Sequence, residues 1–255
     1  MNENHALTVT AAGKVFPLGR ANGRGSAVTA LTSTSFAVRK NEFLSIVGPS
    51  GCGKSTLLRL MAGLDSPTSG EIIYRGQAIR KPTGRIGLVF QDYSLLPWRT
   101  LLRNIELGLE FQNLPGSAVR ARALECLELV GLTAFKDAYP FELSGGMRQR
   151  AAIARALAVE PDVLLMDEPF GALDAHTRML MQRELLAICE KRRKTVVFVT
   201  HSIDEAVYLS DRIVVMEKDP GRVIEVLDVD LPRPRTRKNP DFGRLTESIL
   251  ELLKY

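Results

Sequence analysis

The sequence contains no run of apolar residues long enough to span a membrane. No window of its 255 residues approaches the ~18 uninterrupted apolar residues that a transmembrane helix needs. The first ten residues, MNENHALTVT, also lack the basic stretch and the following apolar stretch of a secretory signal peptide. We therefore expect the chain to stay in the compartment where it is made.

Cysteine is scarce, and the three cysteines lie far apart. Cys52, Cys126 and Cys189 form no CxxC pair, and their odd number rules out a fully paired disulfide framework. Three isolated thiols fit a reducing cytosol. Internal repeats and low-complexity segments are lacking as well. The remaining composition, 45% hydrophobic and 25% charged, is typical of one large globular domain or two closely joined subdomains.

The excess of positive charge is small, and much of it lies in one segment. The formal net charge is +5, and residues 233–238, RPRTRK, contain four of the basic side chains. A nucleic-acid or lipid-headgroup surface is one interpretation of this segment. No aromatic residues interleave with its charges, however, as they do in surfaces that stack bases. We therefore expect a solvated linker and no nucleic-acid partner.

Short apolar runs alternate with helical patterns along most of the chain. The strands predicted are 43–47, 71–74, 85–90, 163–166, 195–200 and 212–216; the helices predicted are 57–62, 177–191, 204–209 and 245–253, with turns or loops at 19–26 and 66–70. Residues 101–158 are predicted to be mainly helical, with breaks at 115–116 and near Pro140. This alternation predicts an α/β fold with a largely parallel core sheet and a helical insertion at about 92–158.

A glycine-rich segment lies between a predicted strand and a predicted helix. Residues 48–56, GPSGCGKST, match the pattern GxxxxGK[ST] in full. Its backbone N–H groups and the following helix N-terminus can surround a phosphate, Lys54 supplies a positive charge, and Ser55 offers a hydroxyl to Mg²⁺. A chance glycine-rich turn is the alternative, which the flanking strand and helix disfavour. The residues expected to bind ATP here are Gly48, Pro49, Ser50, Gly51, Cys52, Gly53, Lys54, Ser55 and Thr56.

Two adjacent acids follow a predicted buried strand. Asp167 and Glu168 come directly after the apolar run 163–166 and directly before a proline. Asp167 is placed to contribute to the coordination shell of Mg²⁺, and Glu168 can act as the general base for a water that attacks the γ-phosphate. An ordinary surface acid pair is the alternative, but the preceding apolar run favours the catalytic interpretation.

Four further motifs occur in a fixed order around the glycine-rich loop and the acid pair. Residues 143–146, LSGG, resemble the signature motif of ABC-type ATPases and end 21 residues before Asp167. Gln91 matches the Q-loop glutamine of that family, residues 172–174 match its D-loop, and His201 matches its switch histidine. By itself His201 could be a lone histidine at a strand end, and Gln91 a polar strand terminus. The complete set of motifs favours the functional interpretation of both.

The resemblance covers roughly residues 5–230 and implies a domain organisation. ABC-type nucleotide-binding domains are P-loop NTPases with a RecA-like parallel-sheet core, an antiparallel β subdomain and an inserted α-helical subdomain. The insertion would correspond to about 92–158, and 231–255 would form a short C-terminal tail with a terminal helix.

The resemblance also implies a mechanism that needs two subunits. Two such domains associate head to tail, here most simply as a homodimer, and each ATP lies on one phosphate loop and under the partner's signature turn. Ser144 and the N–H groups of Gly145 and Gly146 would then contact the γ-phosphate in trans. Asp174 would lie at the subunit contact, His201 would sense the γ-phosphate, and Gln91 would join the metal site to the helical subdomain. The metal-site residues would be Ser55, Gln91 and Asp167.

An aromatic side chain near the N-terminus matches the residue that stacks on adenine in this family. Phe16 lies in the segment 14–16, KVF. The alternative is a core phenylalanine in a strand, and the long loop that follows weakens the match.

Three classes of ABC protein are compatible with these motifs. In chromosome and repair ATPases of the SMC type, a long coiled coil separates the phosphate loop from the signature. Here only 96 residues separate Gly48 from Ser144, and they contain no sustained heptads. Soluble translation factors of the family carry two nucleotide domains, whereas this sequence carries one set of motifs. The resemblance therefore favours a transporter ATPase over a soluble ATPase that acts on DNA or the ribosome.

Longer segments point to one branch of the transporters. Residues 89–110, 143–178 and 200–216 resemble the ATPases of nitrate, sulfonate, taurine and bicarbonate importers, and Met147 recurs after the signature glycines of that branch. Such a subunit lies peripherally on the cytoplasmic face of a bacterial membrane, bound to transmembrane permease subunits and served by an extracytoplasmic solute-binding protein. Trp98 would belong to an apolar groove for the permease, the alternative being a core position.

Overall fold

The computed structural model describes residues 4–17 and 27–253, so the loop predicted at 19–26 lies outside the described residues. The chain divides into two compact units. The first unit comprises the described residues of Met1–Thr83 and Thr195–Tyr255, and the second comprises Gly84–Lys194.

The described strands and helices follow one another in the following order. The strands are β1 His5–Pro17, β2 Ala27–Arg39, β3 Phe43–Val47, β4 Ser69–Tyr74, β5 Gln77–Ala78, β6 Ile86–Val89, β7 Val163–Asp167, β8 Thr195–Thr200, β9 Arg212–Glu217 and β10 Arg222–Asp228. The α-helices are α1 Lys54–Met61, α2 Leu101–Leu109, α3 Gly116–Leu129, α4 Gly145–Ala158, α5 Ala175–Arg192, α6 Ile203–Leu209 and α7 Pro240–Leu252. Two short 3₁₀ turns lie at Thr133–Phe135 and Pro140–Glu142.

An antiparallel sheet forms one part of the first unit. Its strand order is β2-β1-β4-β5, and the long β1–β2 pair runs from His5 opposite Arg39 to Pro17 opposite Ala27. Leu7 and Val9 are buried on one face of β1, as the two-residue period of a strand requires when one face packs on a core. The sheet confirms the predicted antiparallel β component of the fold.

A mainly parallel group of strands forms the rest of the sheet structure of this unit. β3 pairs in parallel with both β8 and β9, and β10 pairs antiparallel with β9. Every residue of β3 and β8 is buried, which explains their unbroken apolar character, because strands of parallel sheets are covered on both faces. Val47 lies opposite Thr200, so the carboxyl ends of β3 and β8 emerge level with each other.

The second unit combines two parallel strands with four of the helices. β6 pairs with β7, and Val89 lies opposite Met166, so these two strands also end level with each other. The helix α4 buries a run of mostly small side chains, Ala151, Ala152, Ile153 and Ala154, which lets neighbouring elements approach it closely. Nowhere in residues 4–17 and 27–253 is there a helix with the length and apolar character of a membrane span.

Most of the predicted elements are confirmed, and the differences lie at their ends. The strand predicted at 195–200 matches β8 residue for residue. Two helices begin earlier than predicted: α1 begins at Lys54 instead of 57, and α5 begins at Ala175 instead of 177. Both start directly after a residue with a special backbone role, the left-handed Gly53 and the capping Asp174.

Strands β1, β2 and β5 were not among the predicted strands, and the C-terminal region also differs from the prediction. Strand β10 had no predicted counterpart, and α7 begins at Pro240, after the capping residue Asn239, instead of at 245. The expectation of a solvated linker at 233–238 is correct in part: every residue of the segment except Arg235 is exposed, but its arginines contact other segments. Arg235 is half-buried, and its guanidinium donates hydrogen bonds to backbone carbonyl oxygens of other segments, among them Val207 and Ser210.

Candidate active site

The glycine-rich loop of the first unit connects β3 to α1. Gly51 and Gly53 have φ of +83° and +92°, in the left-handed region that glycine adopts without strain. A Cβ on Gly48 would lie 2.4 Å from the carbonyl oxygen of Met216, and one on Gly53 would lie 2.7 Å from that of Ala30. The loop backbone is therefore packed so closely that only glycine fits at these two positions.

Lys54 lies across the loop that precedes it. Only 5% of the residue is exposed, and its ammonium nitrogen donates hydrogen bonds to the carbonyl oxygens of Gly48, at 2.8 Å, and Pro49, at 3.0 Å. Burial raises the pKa of the Cys52 thiol, although the nearby Lys54 acts in the opposite direction. The first turn of α1 contains no acidic residue. A buried cation, a helix N-terminus and a glycine backbone together fit a phosphate group.

His201 follows β8 at the same sheet edge where the phosphate loop follows β3. The residues on either side of it are fixed by hydrogen bonds. The Thr200 hydroxyl donates to the Glu205 carboxylate at 2.6 Å and accepts from the N–H of Ser202 at 3.0 Å, and the Ser202 hydroxyl accepts from the N–H of Glu205 at 3.3 Å. His201 itself is exposed.

The acid pair lies at the end of β7 in the second unit. Asp167 is the last residue of the strand, and both Asp167 and Glu168 are half-buried. Glu168 has a φ of +42°, a left-handed conformation that costs a non-glycine residue about 1–3 kcal/mol. Such backbone strain concentrates at functional sites, because the surrounding structure must impose it.

Gln91 and the segment after Glu168 lie close to each other in the same unit. Gln91 follows β6, which ends level with β7, and its side chain is exposed. A Cβ placed on Gly171 would lie 3.9 Å from Nε2 of Gln91 and 3.4 Å from the carbonyl oxygen of Glu168. The structure thus brings Gln91 close to Gly171, which lies 80 residues further along the sequence.

The signature turn caps a helix. Ser144 is the N-cap of α4, and its hydroxyl accepts a hydrogen bond from the N–H of Met147 at 3.3 Å. The helix begins at Gly145, directly after this cap. A Cβ on Gly146 would lie 3.0 Å from Cγ2 of Thr177, so the signature turn packs beside the start of α5. Ser144 is exposed, whereas Gly146 is buried.

Asp174 caps the neighbouring helix α5. Its carboxylate accepts hydrogen bonds from the N–H groups of Thr177, at 3.0 Å, and His176, at 3.1 Å. The hydrogen bond from Thr177 is the main reason that the pKa of Asp174 is lowered. The fixed carboxylate is fully exposed, which is compatible with a subunit contact.

Phe16 lies near the end of β1, opposite Val28 of β2. The residue is 37% exposed, and the ammonium nitrogen of Lys14 lies 5.0 Å from the centre of its ring. A core position is therefore excluded, and stacking on adenine stays a prediction.

Sequence reasoning missed two residues that position loops of the second unit. The buried side chain of Asn104 accepts from the N–H of Leu96 at 2.7 Å and donates to the carbonyl oxygens of Leu96, Arg99 and Thr100. It thereby fixes the loop that carries Trp98. Trp98 is 71% exposed, so the core interpretation of this tryptophan is wrong. The sequence does contain a sign of this role, since Asn104 lies in the first turns of a predicted helix that follows an apolar loop.

The second missed residue is Arg155 of α4. Its guanidinium donates to the carbonyl oxygens of Tyr93, at 3.0 Å, and Ser94, at 2.6 Å, in the loop that follows Gln91. Tyr93 and Ser94 have φ of +56° and +49°, so this arginine stabilises an unfavourable backbone. Burial lowers the pKa of Arg155. No local sequence pattern identifies this contact, because its acceptors are backbone atoms 61 and 62 residues away.

The side chains present are of the type that Mg²⁺ prefers. The ion takes hydroxyl and carboxylate oxygens together with phosphate oxygens and water, and it needs only one or two protein ligands. Ser55 and Asp167 supply such oxygens. Within the described ranges, no group of three or more His, Cys, Asp or Glu side chains is arranged to bind a metal ion.

A glycine loop between a buried strand and a helix, together with an acid pair after another buried strand, defines the class of P-loop nucleotide-hydrolysing proteins. The family model described as ABC transporter matches residues 31–171 of this chain. The chain therefore belongs to the ABC transporter family, as an ATP-binding cassette that acts as an ATPase.

Individual relatives agree with this assignment. The uncharacterized ABC transporter ATP-binding protein MJ0412 of Methanocaldococcus jannaschii is 52% identical over 230 residues, which cover 90% of this chain and 86% of the relative. The aliphatic sulfonates import ATP-binding protein SsuB of Bacillus cereus is 46% identical over 228 residues, which cover 89% of this chain and 90% of the relative. Among solved structures, one match is the dimeric post-hydrolysis state of the ATP-binding cassette MJ0796 bound to ADP and Pi. Its TM-score is 0.76 at 35% sequence identity, and the match covers 89% of this chain and 100% of the MJ0796 chain.

Proposed function

We propose that the chain is the ATP-hydrolysing subunit of a binding-protein-dependent importer for a small anionic solute such as nitrate, a sulfonate, taurine or bicarbonate. The observation that carries this proposal is the 46% identity to an aliphatic sulfonate import subunit over 89% of the chain. Trp98 is 71% exposed and lies in the loop that Asn104 fixes, so its side chain is available for a docking role. In this proposal the ATPase domain spans 5–230, with a helical subdomain at about 92–158.

The phosphate loop binds the nucleotide in this proposal. The N–H groups of the non-proline residues of 48–56 and the N-terminus of α1 surround the β-phosphate, and Lys54 exchanges its present carbonyl partners for phosphate oxygens. Ser55, Gln91 and Asp167 would provide the oxygen atoms for Mg²⁺, which neutralises charge on the phosphates when bound. Phe16 would stack on adenine.

Glu168 would be the general base. Its carboxylate accepts a proton from the attacking water, so that the oxygen of that water can form a bond to the γ-phosphorus while the bond to the leaving ADP oxygen breaks. His201 would donate a hydrogen bond to the γ-phosphate. The strained backbone at Glu168 supports the assignment, because such strain concentrates at functional sites.

The site would be completed by a second copy of the chain. Ser144 and the N–H groups of Gly145 and Gly146 would contact the γ-phosphate bound to the partner, and Asp174 would lie at the subunit contact. The dimeric state of the MJ0796 cassette supports this arrangement. ATP binding would then close a head-to-tail homodimer, and hydrolysis would reopen it.

The remaining partners follow from the importer role. Transmembrane permease subunits would dock on the loop around Trp98, which places the chain peripherally on the cytoplasmic face of a bacterial membrane. An extracytoplasmic solute-binding protein would deliver the solute to the permease. Asn104 would stabilise the docking loop through the hydrogen bonds described above.

Co-purification tests this proposal. The tagged full chain is isolated from membranes of its host, and its integral-membrane partners are identified by mass spectrometry. We expect a permease that stimulates ATP hydrolysis in lipid vesicles, and we expect Trp98→Ala to lower its recovery at least about tenfold, as for a buried aromatic anchor. Phe111→Ala, at another exposed aromatic residue, is the matched control. Stimulation of ATP hydrolysis by DNA, with no permease recovered, would contradict the proposal.

A further inference from the structure

Helix α6 follows His201 and has an end that needs hydrogen-bond donors. The helix comprises only seven residues, Ile203–Leu209, and the carbonyl groups of its last turn have no partners within the helix. An end of this kind carries partial negative charge and is stabilised by cations. In this structure three arginines of the C-terminal segment, Arg233, Arg235 and Arg237, interact with α6 and its immediate neighbours. We call them the arginine clasp.

Arg235 makes most of the contacts. Its guanidinium donates to the carbonyl oxygens of Val207, at 2.9 Å, and Tyr208, at 3.3 Å, and to that of Ser210, at 2.5 Å, just after the helix. It also donates to the carbonyl oxygens of Val229 and Leu231, both at 3.1 Å, in its own segment. Burial lowers the pKa of Arg235 to about 10, which leaves the group charged at neutral pH.

The other two arginines contact the two ends of the helix. Arg233 donates to the carbonyl oxygen of Leu209 at 2.5 Å and pairs with Asp211 at 3.0 Å. Arg237 binds both carboxylate oxygens of Asp204, at 2.8 and 2.9 Å, in the first turn of α6. Its guanidinium also lies 4.5 Å from the ring centre of Tyr208, within cation–π range.

The clasp therefore fixes α6 along its whole length, and the N-terminus of α6 fixes His201. The N-cap residue Ser202 directly follows His201, and Thr200, directly before it, donates to Glu205 within the helix. A displacement of α6 would thus move the backbone on the C-terminal side of His201 while β8 keeps the other side in place. Errors of about 1 Å in the position of a catalytic group are enough to slow a reaction strongly.

We propose that Arg233, Arg235 and Arg237 are positioning residues for ATP hydrolysis, which act by fixing α6 and thereby the side chain of His201. This inference rests on the proposed contact between His201 and the γ-phosphate. Arginine suits the role better than lysine, because its planar group presents five donors that reach several carbonyl oxygens at once. In this proposal the basic segment serves an internal function.

Ring NMR signals of histidine test the positioning directly. The full chain has three histidines, so the Cε1–H signals of His5, His176 and His201 can be resolved and assigned by substitution. We expect Arg235→Ala to shift the signal of His201 and to leave those of His5 and His176 in place. Arg237→Ala, at a more exposed position, is the second variant in case Arg235→Ala does not fold. Arg244→Ala, which removes an exposed pair with Asp241, is the matched control.

Kinetics then tests whether the positioning matters for hydrolysis. We expect Arg235→Ala or Arg237→Ala to lower kcat at least about fivefold with KM for ATP changed less than about twofold, and to have no further effect in a His201→Ala background. An unshifted His201 signal in both variants, or a loss of activity that adds fully to that of His201→Ala, overturns the proposal. A normal kcat in His201→Ala alone overturns instead the proposed role of His201.

Discussion

The ammonium nitrogen of Lys54 lies 2.8 Å from the carbonyl oxygen of Gly48, the first residue of the phosphate loop. The cation is buried against its own loop. Since burying a charge is costly without partners, the two carbonyl contacts stabilise the lysine where its charge is useful.

Replacement of this lysine should remove nucleotide binding. We expect Lys54→Met to raise the Kd for MgATP at least about 30-fold, because hydrogen bonds to charged groups contribute about 1.5–3 kcal/mol each. Isothermal titration calorimetry measures the change. Lys40→Met, at an exposed lysine of the same unit, is the control and should leave the Kd unchanged. Equal Kd values for the two variants would contradict the assignment of Lys54.

A bulky cation at the signature turn should separate binding from hydrolysis. We expect Ser144→Arg to lower kcat at least about 100-fold, within the range seen when preorganised donors at a transition state are lost. The Kd of the isolated subunit for ATP should stay within a factor of about two, because Ser144 contacts only the nucleotide of a partner. Ser117→Arg adds the same side chain at an exposed helical position of the same unit. Loss of ATP binding by the Ser144→Arg monomer would argue against a site that acts in trans.

The three thiols should be unreactive in the folded chain. Cys52, Cys126 and Cys189 are all buried, and burial raises the pKa of Cys52 and raises that of Cys126 to about 11. Because the thiolate is the reactive form, a raised pKa leaves little of it near neutral pH. We expect maleimide at pH 7.5 to label no thiol of the native chain within minutes and all three after unfolding in guanidinium. Mass spectrometry counts the adducts, and rapid labelling of Cys52 in the native chain would be the contrary result.

The buried strands were predictable from sequence because burial on both faces leaves little choice of residue. β8 contains only β-branched and aromatic residues and is buried throughout, so its bounds follow from composition. The phosphate loop and the acid pair were equally visible, because each occupies consecutive positions. Helix ends were harder to predict: α1 and α5 begin inside motifs, where cap and loop geometry decide the first residue.

The contacts of the arginines could not be predicted. Arg155 and Arg235 donate to backbone carbonyl oxygens, which are present in every residue and so leave no mark in the sequence. The composition of 233–238 is the same for a solvated linker and for a segment that caps a helix. The start of α7, in contrast, was predictable from the sequence. Asn239-Pro240 combines a favoured N-cap with a proline at the first helical position.

Substitution of Glu168 by glutamine tests the central claim most directly. Glutamine keeps the size of the side chain but cannot accept the proton of the attacking water, so kcat should fall at least about 100-fold. ATP binding should persist, and light scattering should show an ATP-bound dimer that does not dissociate. Glu247→Gln, at an exposed position of α7, is the control. Turnover by Glu168→Gln at the rate of the parent chain would contradict the account.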